Sequence, residues 1–159
     1  MLRKIIYTRP DGGLSVCSPV RDTIGEQLVL VPGDDDIEDS YREMTDAEIE
    51  QRAWDKLPPD AINPQFVEAD TIPADRTFRN AWKDEGGIKV DMVKAKDLTK
   101  DRLRNERKPL LEAQDVAFQR ALESGASTAA IVSEKQRLRD ITKQVDALTS
   151  LDELKALGL

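Results

Sequence analysis

The chain has 159 residues, no histidine, and a net charge of −7 from 24 basic and 31 acidic side chains. The missing histidine excludes Ser-His and Cys-His pairs, His-ligated zinc and an imidazole base, and the single cysteine, Cys17, excludes an intramolecular disulfide and a cysteine-rich metal site. An acidic balance also excludes a nucleic-acid binder that works through overall positive charge.

Apolar runs all fall short of the roughly 20 residues that span a bilayer, and the start MLRKII lacks the apolar stretch of a secretory leader. The expectation is a soluble acidic protein of a reducing compartment. Charge and aromatics divide the chain in two. Residues 1–91 carry 11 basic and 20 acidic side chains, a net of −9, whereas residues 92–159 carry 13 and 11, a net of +2. Six of the seven aromatics precede residue 92, with seven of the eight prolines, and only Phe118 follows. Aromatics and turn-formers suit strands, while Ala, Leu, Lys, Arg and Glu suit long helices. The fold expected is α+β: a β-rich N-terminal head over 1–91, with two hairpins and one helix, then an antiparallel helical hairpin arm over 92–159.

In chain order, Lys4–Thr8 and Leu14–Ser18 are β-prone runs around Pro10-Asp11-Gly12-Gly13, a turn in which Pro presets φ, Asp bonds its own backbone and Gly accepts positive φ. Leu28–Val31 predicts a third strand, stopped by Pro32-Gly33 and followed by the acidic run Asp34-Asp35-Asp36. Adjacent carboxylates lack the alternating loop spacing of a cation site, so a solvated acidic loop is the simpler reading. Thr45 and Glu48 form a capping box, with Met44 and Ile49 placed as a hydrophobic staple. The helix runs to about Lys56 and stops at Pro58-Pro59, with Trp54 packing into the head. Gln65–Glu68 predicts a fourth strand. Phe78–Trp82 and Ile88–Val90 flank Asp84-Glu85-Gly86-Gly87 as a second hairpin.

From about Asp91 to Ser124 only Pro109 interrupts a helical composition, and Leu103, Leu110, Ala113, Ala117 and Ala121 predict its buried stripe. Pro109 leaves the Asn105 carbonyl without its amide, so the helix either bends there or divides. Gly125 is a stop, and Ser127 or Thr128 a cap. Ile131, Leu138, Ile141, Val145 and Leu148 then form a seam, interrupted by Glu134. Ser150 with Glu153 opens a short terminal helix carrying Leu151, Leu154 and Leu157.

Lys94–Lys108 holds seven basic and three acidic residues, a local net of +4, but these distribute around a helix and no aromatic is interleaved for base stacking. A solvated or docking face is the reading, with Arg102, Arg104, Arg107 and Lys108 as its contact residues. Ile131, Leu138, Ile141 and Val145 are the matching apolar set, through which the arm is expected to form homo-oligomers. Cys17 in a strand without a nearby base reads as packing. Gly12-Gly13 and Gly86-Gly87 extend to no phosphate loop. No catalytic residue, metal site or cofactor is expected, and the protein reads as non-enzymatic.

The segment IPADRTFRNAWKDEGGIKVDMVKAKDLTKDRLRNERKPLLEAQDVAFQRALESG, then KQRLRDIT and LTSLDELKAL, resembles small proteins encoded near phage and prophage tail genes. Their DRTFRNAW-like element, VDM strand end, R-x-x-R helix and LRD-I/x-T element match residues 72–157. With Gln136-Arg137-Leu138-Arg139-Asp140 at the place of a YRQALRD-like motif, the chain also looks distantly like the tail-fibre assembly chaperone family. The resemblance implies a phage tail or tail-fibre protein as partner, residence in the host cytoplasm during assembly or in the virion tail, and no catalytic residues. Membranes and nucleic acid are not expected partners. Two readings from other classes stay open. One is an accessory protein that blocks a host defence by binding a host protein or signalling nucleotide; the other is a metal-dependent hydrolase using Asp34–Asp36.

Overall fold

The structure, a computed structural model, describes residues 2–21, 23–25 and 41–159. It is a small mixed α+β protein with an N-terminal β-sheet region followed by a C-terminal helical bundle. Two compact units divide the chain, Met1–Ala74 with Lys83–Lys89, and Asp75–Trp82 with Val90–Leu159. The helical unit thus takes in Asp75–Trp82 as well as Val90–Leu159.

In the first unit, β1 (Lys4–Thr8) pairs antiparallel with β2 (Leu14–Cys17), Ile6 opposite Val16 and Thr8 opposite Leu14. Their turn follows the expected chemistry. Gly12 sits at φ 73°, Arg9 and Gly13 close the loop, and Asp11 accepts from the Gly13 amide at 2.8 Å. The fourth expected strand is longer than Gln65–Glu68 and begins earlier: β3 (Ile62–Val67) pairs with the other side of β1, giving the order 2-1-3. Asn63, at φ 48°, accompanies a register shift opposite β1 between Ile6 and Thr8. Pro64 is tolerated because this strand lies on a sheet edge.

A further antiparallel pair, Thr23–Gly25 with Tyr41–Glu43, has no strong sequence signal. The expected strand Leu28–Val31 and the run Asp34–Asp36 lie outside the described residues.

Helix α1 (Asp46–Asp55) opens with the complete Thr45/Glu48 capping box, and both staple residues, Met44 and Ile49, are buried. Arg3 grips Glu50 of this helix through a backbone amide bond of 2.9 Å and a guanidinium bond of 2.6 Å. The same guanidinium lies over Phe66, 4.4 Å from the ring centroid, and Phe66 stacks on Trp54 at 5.0 Å. Strand entry, helix and edge strand are tied by one stack.

The second hairpin is shorter than expected. Only β4 (Trp82–Asp84) and β5 (Ile88–Val90) are strands; Arg79–Ala81 is a 3-10 turn preceded by Phe78. A strand expected from Phe78 is therefore incorrect. The physical reason is packing: Phe78 and Ala81 are both buried in the core of the helical unit, and two side chains spaced by three meet one surface from a 3-10 turn but not from a strand.

Helix α2 (Met92–Glu123) is a single 32-residue helix capped by Asp91, which accepts from the Val93 and Lys94 amides. Pro109 sits inside it without dividing it, and Asn105 and Pro109 are both exposed, leaving the carbonyl open to water. Gly125, at φ 67°, ends the helix as expected. Helix α3 (Ala129–Ala147) follows Thr128, whose side chain makes no cap bond; the Ser127 hydroxyl accepts from the Ala129 amide instead. Helix α4 (Leu151–Ala156) carries the full Ser150/Glu153 box, and its two capping amides hold the Glu153 carboxyl below its ordinary range.

α2 and α3 run antiparallel, as cross-helix partners show. Lys100 meets Asp146 at 2.6 Å, Arg107 reaches the Leu138 and Arg139 carbonyls at 3.2 and 2.8 Å, and Lys135 pairs with Asp115. The α3 seam is as expected: Leu138, Ile141 and Val145 are buried. On α2 the buried face is Ala95, Thr99, Leu103 and Ala121. Leu110 and Ala113, expected in the stripe, are exposed; α4, α3 and the Phe78 turn select the 95-99-103 face instead. Among the described residues no helix is long and apolar enough to cross a membrane.

Candidate functional site

The helical unit has a groove of about 480 Å³, open to solvent, between the Phe78 turn, the first half of α2 and α4. Its apolar floor is Phe78 with Leu98 and Leu154. Phe78 and Leu154 are core residues exposed by 6% and 0%, so the floor is fixed by packing before anything binds. Thr99 also lines the groove, but its buried hydroxyl already donates to the Ala95 carbonyl at 2.9 Å and offers nothing to a ligand.

The polar groups are on the rim. Arg102 donates from Nη2 to the Leu157 carbonyl at 2.6 Å and to the Leu154 carbonyl at 3.4 Å. These belong to the last turn of α4, where carbonyls have no intrahelical partner and a cation is favoured. Lys155 meets Asp75 at 2.5 Å and Asp152 at 3.3 Å. The Lys155 hydrogen bond, with help from the Thr77 amide, holds the Asp75 carboxyl well below the usual carboxylate range, and the same bond raises Lys155. Asn80 and Thr77 complete the rim. The groove therefore has a bed that is almost wholly buried, and both its cations are already met by carboxylates, Lys155 by Asp75 and Asp152 and Arg102 by Glu106 at 3.5 Å.

Three of the four residues of the basic contact set make contacts within the chain, although Arg102 and Arg104 stay exposed. Arg102 caps α4, Arg107 binds α3 carbonyls, and Arg104 pairs with Asp101 one turn earlier at 2.6 Å. Lys108 is exposed. Of the apolar set, Leu138, Ile141 and Val145 lie in the interior, and Ile131 is half-buried. Of these eight residues the groove takes only Arg102. Sequence reasoning missed Phe78, Leu154 and Lys155 as site residues. Their only signal was the amphipathic spacing of the short terminal helix, which says nothing about the distant Phe78.

Away from the groove, the outer half of the hairpin has Leu111, Phe118 and Leu122 at i, i+7 and i+11, a spacing that shares one side of α2. Leu111 and Phe118 are half-buried, the latter under the Lys135 ammonium at 5.3 Å, while Leu122 is 60% exposed. Val132 is 50% exposed at the start of α3, across the Gly125 turn. In the first unit, a smaller concavity of about 190 Å³ lies between the β2 end and α1, lined by Cys17, Val20, Ile49 and Arg52. Cys17 there is a half-exposed free thiol. No group of three potential metal ligands clusters among the described residues.

No protein family, curated protein or solved structure matches this chain.

Proposed function

We propose that the protein acts through protein–protein contacts rather than catalysis, in the assembly or structure of a phage tail or tail fibre. The observation that carries this reading is the outer half of the α2–α3 hairpin. There Ala121 is the one buried side chain between residues 108 and 137, Leu111, Phe118 and Ile131 are only half-buried, and Leu122 and Val132 stand in water. Large aliphatic side chains bordering one helix turn suit a contact surface. The likeness of residues 72–157 to tail-region proteins supplies the class of partner.

Oligomerisation through the arm belongs to the same proposal, with one constraint. Leu138, Ile141 and Val145 are spent inside the chain, so self-association uses the outer side of the hairpin.

Co-expression with a phage tail-fibre protein tests the reading: soluble fibre yield rises when this chain is present, and an unchanged yield refutes the assembly role. Mass spectrometry of purified particles separates the two versions, since a chaperone is absent from the finished tail and a structural component remains.

A further inference from the structure

Along the outer half of α2, Lys108, Glu112, Val116, Arg120 and Glu123 are spaced 4-4-4-3 and so share one side of the helix, and all five are exposed. We propose that this side is a self-association surface: a second copy of the chain lays its own α2 against it, antiparallel and about a two-fold axis at Val116. The inference rests on the protein-contact reading of the hairpin and adds to it the helix face, the orientation and the occupant.

Three observations carry it. First, these charges are not met within the chain. Between residues 108 and 137, Lys135 pairs with Asp115 and Arg137 with Glu134, which uses two of the four cations and two of the four anions there. Lys108, Arg120, Glu112 and Glu123 are left, and among the described residues none of them makes an ion pair. Unmet charges of both signs in equal number make a surface complementary to itself, whereas a partner of one strong sign is repelled by half of them. Second, their order fixes the orientation. Glu112 and Arg120 lie four residues before and after Val116, and Lys108 and Glu123 lie eight before and seven after it. Antiparallel pairing about Val116 sets Lys108 opposite Glu123 of the second copy and Glu112 opposite its Arg120, each twice by symmetry; parallel pairing in register sets like charge on like. Third, the axis is apolar. Val116 is 47% exposed amid the charges and Leu122, beside the stripe, is 60% exposed, so the contact removes apolar area from water and does not depend on surface ion pairs alone.

From Lys108 to Glu123 the helix is about 24 Å long, which sets a contact at the lower end of protein interfaces. The dimer is therefore concentration-dependent, and it weakens as salt rises because its ion pairs lie at the surface.

Charge exchange tests it, read by sedimentation velocity of the full chain at low salt and up to about 1 mM protein. The wild type should dimerise. Glu112→Lys with Glu123→Lys leaves four cations on the stripe, and Lys108→Glu with Arg120→Glu leaves four anions. Each double variant, its helicity verified by circular dichroism, should self-associate about tenfold more weakly, or by about 1.4 kcal/mol, and an equimolar mixture of the two should restore the dimer. In a Cys17→Ser background, Val116→Cys should cross-link to itself on oxidation, whereas Asn105→Cys, on the same side but away from the axis, should not. The proposal is overturned if the wild type stays monomeric, if the double variants dimerise like it, if their mixture fails to associate, or if Asn105→Cys cross-links as readily as Val116→Cys. A monomeric wild type would leave the fibre-yield test of the assembly role standing, and an unchanged fibre yield would leave the dimer standing, so the two failures are distinguishable.

Discussion

Lys155 of α4 lies 2.5 Å from Asp75, four residues before the 3-10 turn Arg79–Ala81, so one ion pair fastens the terminal helix to the segment that brings Thr77, Phe78 and Asn80 to the groove. Asp75 is depressed and Lys155 raised, each chiefly by the other. A depressed carboxylate stabilises the fold above its unfolded pKa and loses that contribution as pH falls through the folded value; a raised lysine contributes below its unfolded pKa and loses it as pH rises through the folded one. The pair is therefore intact from about pH 5 to about pH 9. Asp75→Asn should lower Tm by a constant amount across that window, and the gap should narrow progressively as pH falls below about 4, closing only where the depressed Asp75 carboxyl itself protonates. Circular dichroism melts measure this, and a gap that does not narrow as pH falls below about 4 would show that the pair is not the cause.

The register of α2 gives a sharper contrast. Leu103→Ala removes a fully buried side chain and should cost about 2–5 kcal/mol. Leu110→Ala, seven residues on and 44% exposed, should cost less than about 1 kcal/mol. Urea unfolding of both variants checks the assignment; equal costs would restore the 103-110 stripe.

Pro109 lacks an amide in the middle of a continuous helix. Replacing it with Ala should stabilise the protein by about 1–3 kcal/mol, since an interior proline costs about 3 in an unsupported helix. Guanidinium unfolding reads the change. A loss of stability would mean that the proline ring is part of the packing.

Gly125 reverses the hairpin at φ 67°, and nothing lies within 4 Å of an added Cβ. Gly125→Ala should therefore cost about 1 kcal/mol from backbone conformation alone. A cost several times larger would require a steric clash that the structure lacks.

What the sequence made legible was local chemistry. Thr45 with Glu48 and Ser150 with Glu153 satisfy helix amides inside four residues, Asp11 with Gly12 closes its own turn, and Leu138, Ile141 and Val145 repeat at helical spacing. The misses needed long-range information. Ala95 and Thr99 are small or polar and gave a weak stripe beside Leu110, and their burial is decided by the Phe78 turn and α4, which join α2 only in the fold. Phe78 read as a strand residue because aromatics favour strands, a preference that burial overrides. The groove draws on residues 77–80, 98–102 and 154–155, three stretches with no shared motif. The pair Thr23–Gly25 with Tyr41–Glu43 is short and depends on a partner sixteen or more residues away.

The most direct measurement of the assembly role is soluble tail-fibre trimer yield on co-expression, comparing the wild-type chain with a Leu122→Glu, Val132→Glu variant whose helicity is verified. The account predicts that the wild type raises the yield and that the variant, folded but carrying charge on the outer hairpin surface, returns it to the level without the chain. A wild type that changes nothing, or a variant that works as well, would contradict it.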